Sequence, residues 1–138
     1  MATVHKEIII NVPADRVWDA IRDFGAVHQR VVPGFVTDTQ LDGNARIVTF
    51  GNGMVARETL VTLDDDARRL VYSADGARLT HHNASNQVLD AGDGRSRFVW
   101  IADLLPDEAV EVVDGMMEQG ARLAKETLER TAVEVPAS

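Results

Sequence analysis

The amino-acid sequence predicts an α+β fold in which a curved antiparallel sheet of six or seven strands grips one long C-terminal helix. Three observations support this prediction. A β-branched run opens the chain, a series of short β-rich segments fills its middle, and a long amphipathic pattern closes it. Turn signals recur about every 8–12 residues, which indicates a meander of antiparallel strands rather than alternating β-α-β units.

The first strand and two short helices are predicted from a change of hydrophobic period at Pro13. Residues 3–12 are rich in β-branched side chains, and Pro13 ends the strand because it has no N–H to donate. The apolar residues that follow have the spacing of one helix face. A second short helix is expected from Phe24 to Arg30, before the turn at Pro33-Gly34.

Six further strands are predicted in the middle of the chain. Turns rich in Gly, Asn and Asp separate them, as in β-hairpins. The predicted strands are Phe35–Leu41, Ala45–Phe50, Met54–Leu63, Leu70–Ala74, a segment within Leu79–Leu89, and Arg97–Leu104.

The last helix is predicted to open at Pro106 and to continue for about 25 residues, or about 37 Å, which is enough to cross the sheet. Charged residues recur every three or four positions from Glu111 to Glu129, with apolar residues on the other side. A frayed tail is expected from Val133 onward. No linker or repeat interrupts the chain, so we expect a single domain spanning residues 1–138.

Composition excludes several classes of function. The 138 residues carry 22 acidic and 14 basic side chains, and the net charge of −8 disfavours nucleic acid or an anionic membrane as a partner. The absence of cysteine excludes disulfides and thiolate zinc sites. The sequence shows neither a signal peptide nor an apolar run of membrane-spanning length. These features predict a cytoplasmic protein that does not insert into membranes.

No motif for a metal or a cofactor stands out. Gly51-Asn52-Gly53 is followed by a β-branched stretch instead of a helix, so it fits a hairpin turn better than a dinucleotide site. His81 and His82 are adjacent, and neighbouring side chains on a strand point to opposite faces, so they cannot chelate one metal together. We therefore expect no metal and no cofactor.

Glu58 is the most informative single residue. If its strand alternates, the residues that share its face form a mostly apolar row: Met54, Ala56, Leu60 and Thr62. Either this face is exposed, or Glu58 pairs at the rim with Arg57 or another base, or the row faces inward. An inward carboxylate requires a partner or a shifted protonation equilibrium, as in ligand-binding and acid–base sites. Tyr72 and Trp100 are interpreted as core residues, with a cavity wall as the alternative.

The sequence also resembles a known superfamily. The opening from Ile8 through Val12-Pro13 and Val17-Trp18 to Phe24 is similar to the START/Bet v 1-like superfamily, in its polyketide cyclase/dehydrase-type bacterial branch. The similarity continues along nearly the whole chain, in Arg57-Glu58-x-Leu60, Leu63-Asp64-Asp65, Arg69-x-x-Tyr72, Ser96-x-Phe98-x-Trp100 and Pro106.

This resemblance implies a helix-grip fold with a hydrophobic cavity between the sheet and the long helix. Members of the superfamily bind apolar molecules such as lipids, sterols, hormones or polyketides, and a minority are cyclases or aromatases. Carried over to this chain, the resemblance implies side chains of Glu58, Tyr72 and Trp100 inside the cavity. It implies His28 and Phe35 near the mouth, and Met116, Met117 and Ala121 on the helix wall.

Two functional hypotheses follow. The preferred one is a binding module for a small hydrophobic or amphipathic molecule, with Glu58 and His82 fixing the polar end of the ligand. The alternative is a cofactor-independent polyketide aromatase/cyclase or dehydratase in which Glu58 or His28 moves a proton beside a carbonyl. The single tyrosine and the lack of an obvious acid–base pair favour binding. A homodimer is left open.

Overall fold

The computed structural model of the protein describes residues 1–76 and 78–134. Seven antiparallel strands form one sheet in the order β1-β7-β6-β5-β4-β3-β2. The strands are β1 (Ala2–Ile10), β2 (Val36–Asp42), β3 (Ala45–Phe50), β4 (Val55–Asp64), β5 (Arg69–Asp75), β6 (His81–Gly92) and β7 (Arg95–Leu105). The helices are α1 (Ala14–Ile21), α2 (Val27–Arg30) and α3 (Val110–Glu134), with 3-10 turns at Phe24–Ala26 and Asp107–Ala109. The predicted fold class is confirmed.

The first strand ends earlier than the sequence predicts. β1 stops at Ile10, and the predicted strand residue Val12 is instead buried in the core just before α1. Pro13 directly precedes the helix, and its carbonyl oxygen accepts hydrogen bonds from the N–H groups of Arg16 and Val17. Proline therefore marks the change from strand to helix, because it lacks an N–H and its fixed φ suits a helix start.

The predicted alternation of β4 is wrong at Thr62, because a β-bulge interrupts the strand after Leu60. Leu60 lies opposite Tyr72, but the register then shifts so that Thr62 lies opposite Val71 and Leu63 opposite Leu70. The extra residue moves the next inward position from Thr62 to Leu63, since side chains alternate with a period of two. Thr62 is accordingly exposed, and Leu63 packs against the core.

The long helix α3 is fastened to the edge strand β1 by polar contacts. Lys6 Nζ lies 3.0 Å from an Asp114 oxygen and 3.1 Å from a Glu118 oxygen. Further along the helix, Lys125 Nζ donates to the carbonyl oxygen of Ile9 at 2.8 Å. Glu129 accepts from the N–H of Asn11 at 2.8 Å. These contacts hold α3 across the face of the sheet.

Packing beneath α3 is unequal along its length. From Met117 onward the inner face of the helix is buried, as at Ala124 and Leu128, whereas Val113 and Met116 near its beginning are only half-buried. The tail predicted from Val133 is helical as far as Glu134, and residues 135–138 of that prediction lie outside the described residues. None of the described helices is long and apolar enough to cross a membrane.

Helix α1 is tied to the turn between β4 and β5. Trp18 Nε1 donates to Asp65 Oδ1 at 2.9 Å, and Arg22 Nε donates to the same oxygen at 2.8 Å. The hydrogen bond from Arg22, helped by that from Trp18, lowers the pKa of the Asp65 carboxyl. The apolar face of α1 thereby stays against the sheet.

Candidate functional site

A cavity lies between the concave face of the sheet and the part of α3 from Val113 to Ala124. The cavity has a volume of about 140 Å³, and the atom-free space that also includes open solvent at the mouth is about 1110 Å³. Strands β3 to β7 supply the floor, and α3 supplies a wall that includes Val113, Met116, Met117 and Gly120. Most of the lining is aliphatic or aromatic, so the site favours apolar molecules.

The mouth of the cavity is framed by loops that converge at one end of the sheet. Phe35 follows α2, Phe50 ends β3, and Leu79 lies between β5 and β6, and all three line the cavity. The rings of Phe35 and Phe50 pack edge to face, with centroids 5.6 Å apart. This aromatic pair gives the mouth an apolar rim.

A buried ion pair lies in the cavity wall. Arg46 in β3 is directly opposite Glu58 in β4, and Arg46 Nε donates to Glu58 Oε1 at 2.7 Å. The two side chains are only 7% and 12% exposed. The sequence left three arrangements open for this row of side chains. In the structure, the row that contains Glu58 faces inward. Arg57, the partner named for the rim, instead contacts Asp42 at 2.6 Å.

Arg46 was missed by the sequence analysis. Its guanidinium lies 4.0 Å from the centroid of the Phe24 ring, and Nη1 donates to the Phe24 carbonyl oxygen at 3.2 Å. Alternation in β3 places Arg46 on the same face as Val48 and Phe50, and this pattern is readable in the sequence. The pairing with Glu58 additionally requires the β3–β4 register.

Tyr72 occupies the middle of the cavity floor. Its hydroxyl oxygen accepts a hydrogen bond from Trp100 Nε1 at 3.2 Å, and the Arg46 guanidinium lies 5.3 Å from its ring centroid. Burial, reinforced by the negative charge of Glu58, raises the pKa of the Tyr72 hydroxyl. The hydroxyl therefore remains protonated and can act as a hydrogen-bond donor.

His82 is held in one orientation by the backbone of β5. The N–H of Ala74 donates to His82 Nδ1 at 3.1 Å. Burial lowers the pKa of His82, although the charge of Glu58 opposes this shift. The ring is therefore neutral near pH 7, and because Nδ1 is the acceptor, Nε2 carries the proton.

We call Arg46, Glu58, Tyr72 and His82 the polar cluster.

Asn86 adds a second polar feature that the sequence analysis did not select. It is 9% exposed and lines the cavity from β6, where it lies opposite Trp100 in β7. Its Nδ2 atom is buried and has no hydrogen-bond partner within the described part of the chain. Alternation from His82 through Ala84 places Asn86 on the cavity face, so its position was predictable, but its missing partner was not.

Seven of the nine predicted ligand-binding residues line the cavity. They are Phe35, Glu58, Tyr72, His82, Trp100, Met116 and Met117. The other two, His28 and Ala121, are outside the lining described for residues 1–76 and 78–134. Each directly follows a lining residue, Val27 in α2 or Gly120 in α3. Ligand-binding roles for all nine residues stay predictions.

Metal binding finds no support in the described ranges. Residues 1–76 and 78–134 contain no group of three or more His, Cys, Asp or Glu side chains arranged to hold an ion.

A comparison with protein families places the chain among known sequences. The family model for polyketide cyclase / dehydrase and lipid transport matches residues 1–133. The chain belongs to this family. No curated protein matches it in sequence.

Solved structures show the same fold at low sequence identity. Norcoclaurine synthase from Thalictrum flavum, in complex with dopamine and hydroxybenzaldehyde, has a TM-score of 0.76 at 17% identity, over 99% of this chain and 89% of that one. The Zhui aromatase/cyclase from Streptomyces sp. R1128 has a TM-score of 0.75 at 15% identity, over 99% and 96%. A START superfamily protein from Mycobacterium smegmatis has a TM-score of 0.74 at 12% identity, over 96% and 98%. The predicted START/Bet v 1-like helix-grip fold is therefore confirmed.

Proposed function

We propose that the protein binds a small hydrophobic or amphipathic molecule in the cavity between its sheet and α3. The observation that carries this proposal is a mostly apolar cavity with a few polar side chains in its wall. Such a site gains affinity from apolar burial and orientation from the polar groups. The polar cluster and Asn86 supply that orientation here.

The size of the cavity indicates which part of a ligand can be enclosed. The cavity volume is about 140 Å³, and an apolar cavity of about 150 Å³ is large enough to take up benzene. A ring or a short branched chain would therefore fill the inner part, and a longer ligand would extend through the mouth. Burial of about 200 Å² of ligand surface would contribute about 5 kcal/mol before the costs of association.

Catalysis is the second candidate, as a cofactor-independent aromatase/cyclase or dehydratase. Family membership supports it, as does the fold that the chain shares with the Zhui aromatase/cyclase and with norcoclaurine synthase, whose structure holds two aromatic molecules. The polar cluster argues for binding instead. Glu58 is engaged by Arg46, and His82 Nδ1 accepts from Ala74, so neither offers a free base. If Glu58 is catalytic, Glu58→Gln should abolish turnover of a poly-β-ketone with little loss of binding.

The binding proposal is tested with propylbenzene, an apolar probe of suitable size, by ¹H–¹⁵N NMR titration. We expect saturable shifts at the Trp100 indole N–H, because Trp100 lines the cavity. Ala56→Leu adds three carbon atoms to the cavity wall and should weaken binding at least tenfold. Val55→Leu is the matched control, since Val55 is exposed on the other face. Absence of saturable shifts in the unmodified protein would contradict the proposal.

We further propose that the chain acts in the cytoplasm as a single domain without a nucleic-acid partner. The net charge of −8 supports the last point, because binding to nucleic acid requires clustered positive charge. Whether the chain forms a homodimer stays open, and the molar mass of the purified chain in light scattering would decide between monomer and dimer.

A further inference from the structure

We propose that the ligand is uncharged and carries a hydrogen-bond-accepting oxygen, such as a ketone, aldehyde or ester carbonyl, that binds the side-chain amide of Asn86. This inference rests on the proposed binding function and specifies the chemistry of the ligand. It follows from one unpartnered donor, from the donors around it, and from the charges of the cavity wall.

The unpartnered donor is Asn86 Nδ2. Five buried side-chain atoms of the described residues lack a partner, and they belong to His28, Thr39, Asn86, Ser96 and Thr127. Among these five residues, Asn86 alone lines the cavity. A buried N–H without an acceptor is costly, and native structures usually satisfy such groups with protein, water or ligand. An acceptor atom of a bound molecule would remove that cost.

Two further uncharged side chains of the wall, Tyr72 and His82, can also donate. The Tyr72 hydroxyl is protonated, and its oxygen already accepts from Trp100 Nε1. The Nε2–H of His82 is a donor because Nδ1 accepts from the backbone of Ala74. Together with the amide of Asn86, this part of the wall offers protons to a ligand. The complementary ligand group is an oxygen with free lone pairs.

The charges of the wall disfavour a carboxylate in that position. Arg46 contacts Glu58 at 2.7 Å, so its charge is already compensated. Asp75 also lines the cavity and adds a further negative charge near Gly76. A ligand carboxylate would therefore be desolvated beside Glu58 without a free cation to pair with. Glu58 thereby acts as a specificity residue that keeps Arg46 from binding anionic ligands.

The test uses three probes that share nine carbon atoms and a phenyl ring: propylbenzene, propiophenone and 3-phenylpropanoate. Dissociation constants are measured by NMR at about pH 7, where carboxylates are ionised. Asn86→Leu should weaken the binding of propiophenone about tenfold more than it weakens the binding of propylbenzene. A tenfold difference is the loss expected for one hydrogen bond. This comparison cancels the different hydrophobicity of the two probes. An equal effect on both probes would overturn the inference.

The effect of the wall charges on ligand binding is tested by substituting Glu58. The unmodified protein should bind 3-phenylpropanoate at least tenfold more weakly than propiophenone. Glu58→Gln should strengthen the binding of 3-phenylpropanoate about tenfold, because it releases Arg46 to pair with the carboxylate. Tighter binding of 3-phenylpropanoate than of propiophenone by the unmodified protein would overturn the inference.

A third measurement needs no variant. The side-chain NH₂ resonances of Asn86 should move downfield with propiophenone and much less with propylbenzene, and identical shifts would overturn the inference. If propylbenzene binds, but neither Asn86→Leu nor the Asn86 resonances distinguish it from propiophenone, the inference fails and the binding function stands. If none of the three probes binds, the binding function fails with it.

Discussion

Arg46 and Glu58 form an ion pair between two nearly buried side chains, and neither can lose its partner cheaply. Removing one member leaves the other charge buried, which costs about 3–5 kcal/mol of folding free energy. We therefore expect Arg46→Leu to lower the free energy of unfolding by about that amount in a urea titration. Glu58→Leu in the same chain should recover much of the loss, since two apolar residues often replace a buried pair.

The matched control for this prediction is the exposed pair on the outer face. Arg57 contacts Asp42 at 2.6 Å, but these side chains are 44% and 65% exposed. Arg57→Leu should change stability by at most about 1 kcal/mol. Equal losses for Arg46→Leu and Arg57→Leu would show that the inner pair has no special role in stability.

His82 should make stability depend on pH in a window set by its lowered pKa. The unfolded chain protonates this histidine below about pH 6.5, whereas the folded chain resists protonation because the ring is buried. The unfolded state therefore binds more protons, and stability falls as the pH drops below about 6.5, until the lower folded pKa is reached. Urea midpoints at about pH 7.5 and about pH 5.5 measure this loss.

His82→Gln should reduce that loss, and His81→Gln should reduce it much less, since His81 is exposed and its charge lowers the pKa of His82 less than burial does. Asp65, Glu118 and Glu129 also have lowered pKa values, but their contributions disappear only below about pH 4.5. The same pH dependence in His82→Gln as in the unmodified protein would contradict the assignment.

At the scale of elements, the close approach of α3 to the sheet depends on Gly120. A Cβ added there would lie 3.0 Å from Trp100 Cζ3, whereas a Cβ at Gly115 in the same helix would meet nothing within 4 Å. We expect Gly120→Ala to destabilise the protein by about 1–3 kcal/mol through overpacking. Gly115→Ala should stabilise it by about 0.5–1 kcal/mol, because alanine favours helix. Thermal unfolding of both variants measures this contrast, and stabilisation by both substitutions would contradict it.

The helices and strands were largely predictable because each has a periodic pattern and strong turn signals at its ends. Gly53 illustrates this: its φ of +90° is the conformation that favours glycine, and it lies in the turn between β3 and β4. The bulge after Leu60 was not predictable from alternation. An extra residue in one strand shows only when the partner strand is aligned with it, and the sequence does not contain that register.

At the scale of the whole molecule, the order of elements predicts a sheet that grips the long helix. Alternation left the face of Glu58 open, and the resemblance to the superfamily implied inward side chains for Glu58 and Trp100. The role of Arg46 was missed because it depends on which residue of β4 it faces. The role of Asn86 was missed because an unpartnered donor is visible only once every neighbour is in place. Both roles depend on contacts between strands, and the pattern of a single strand does not predict such contacts.

The few aromatic residues of the chain agree with a partly hollow interior. With 5% aromatic residues, the protein fills much of its core with aliphatic side chains. The end of α3 around Leu128 is packed closely, whereas the stretch from Val113 to Ala124 lines the cavity together with Tyr72 and Trp100. This division of the core separates the part that stabilises the fold from the part that we assign to a ligand.

The most direct test of the central claim is the location of bound propylbenzene, measured by intermolecular nuclear Overhauser effects. We expect contacts from the probe to the Met117 methyl group, the Val48 methyl groups and the Trp100 indole, because all three residues line the cavity. Contacts confined to exposed residues such as Val61 or Val112 would contradict the account.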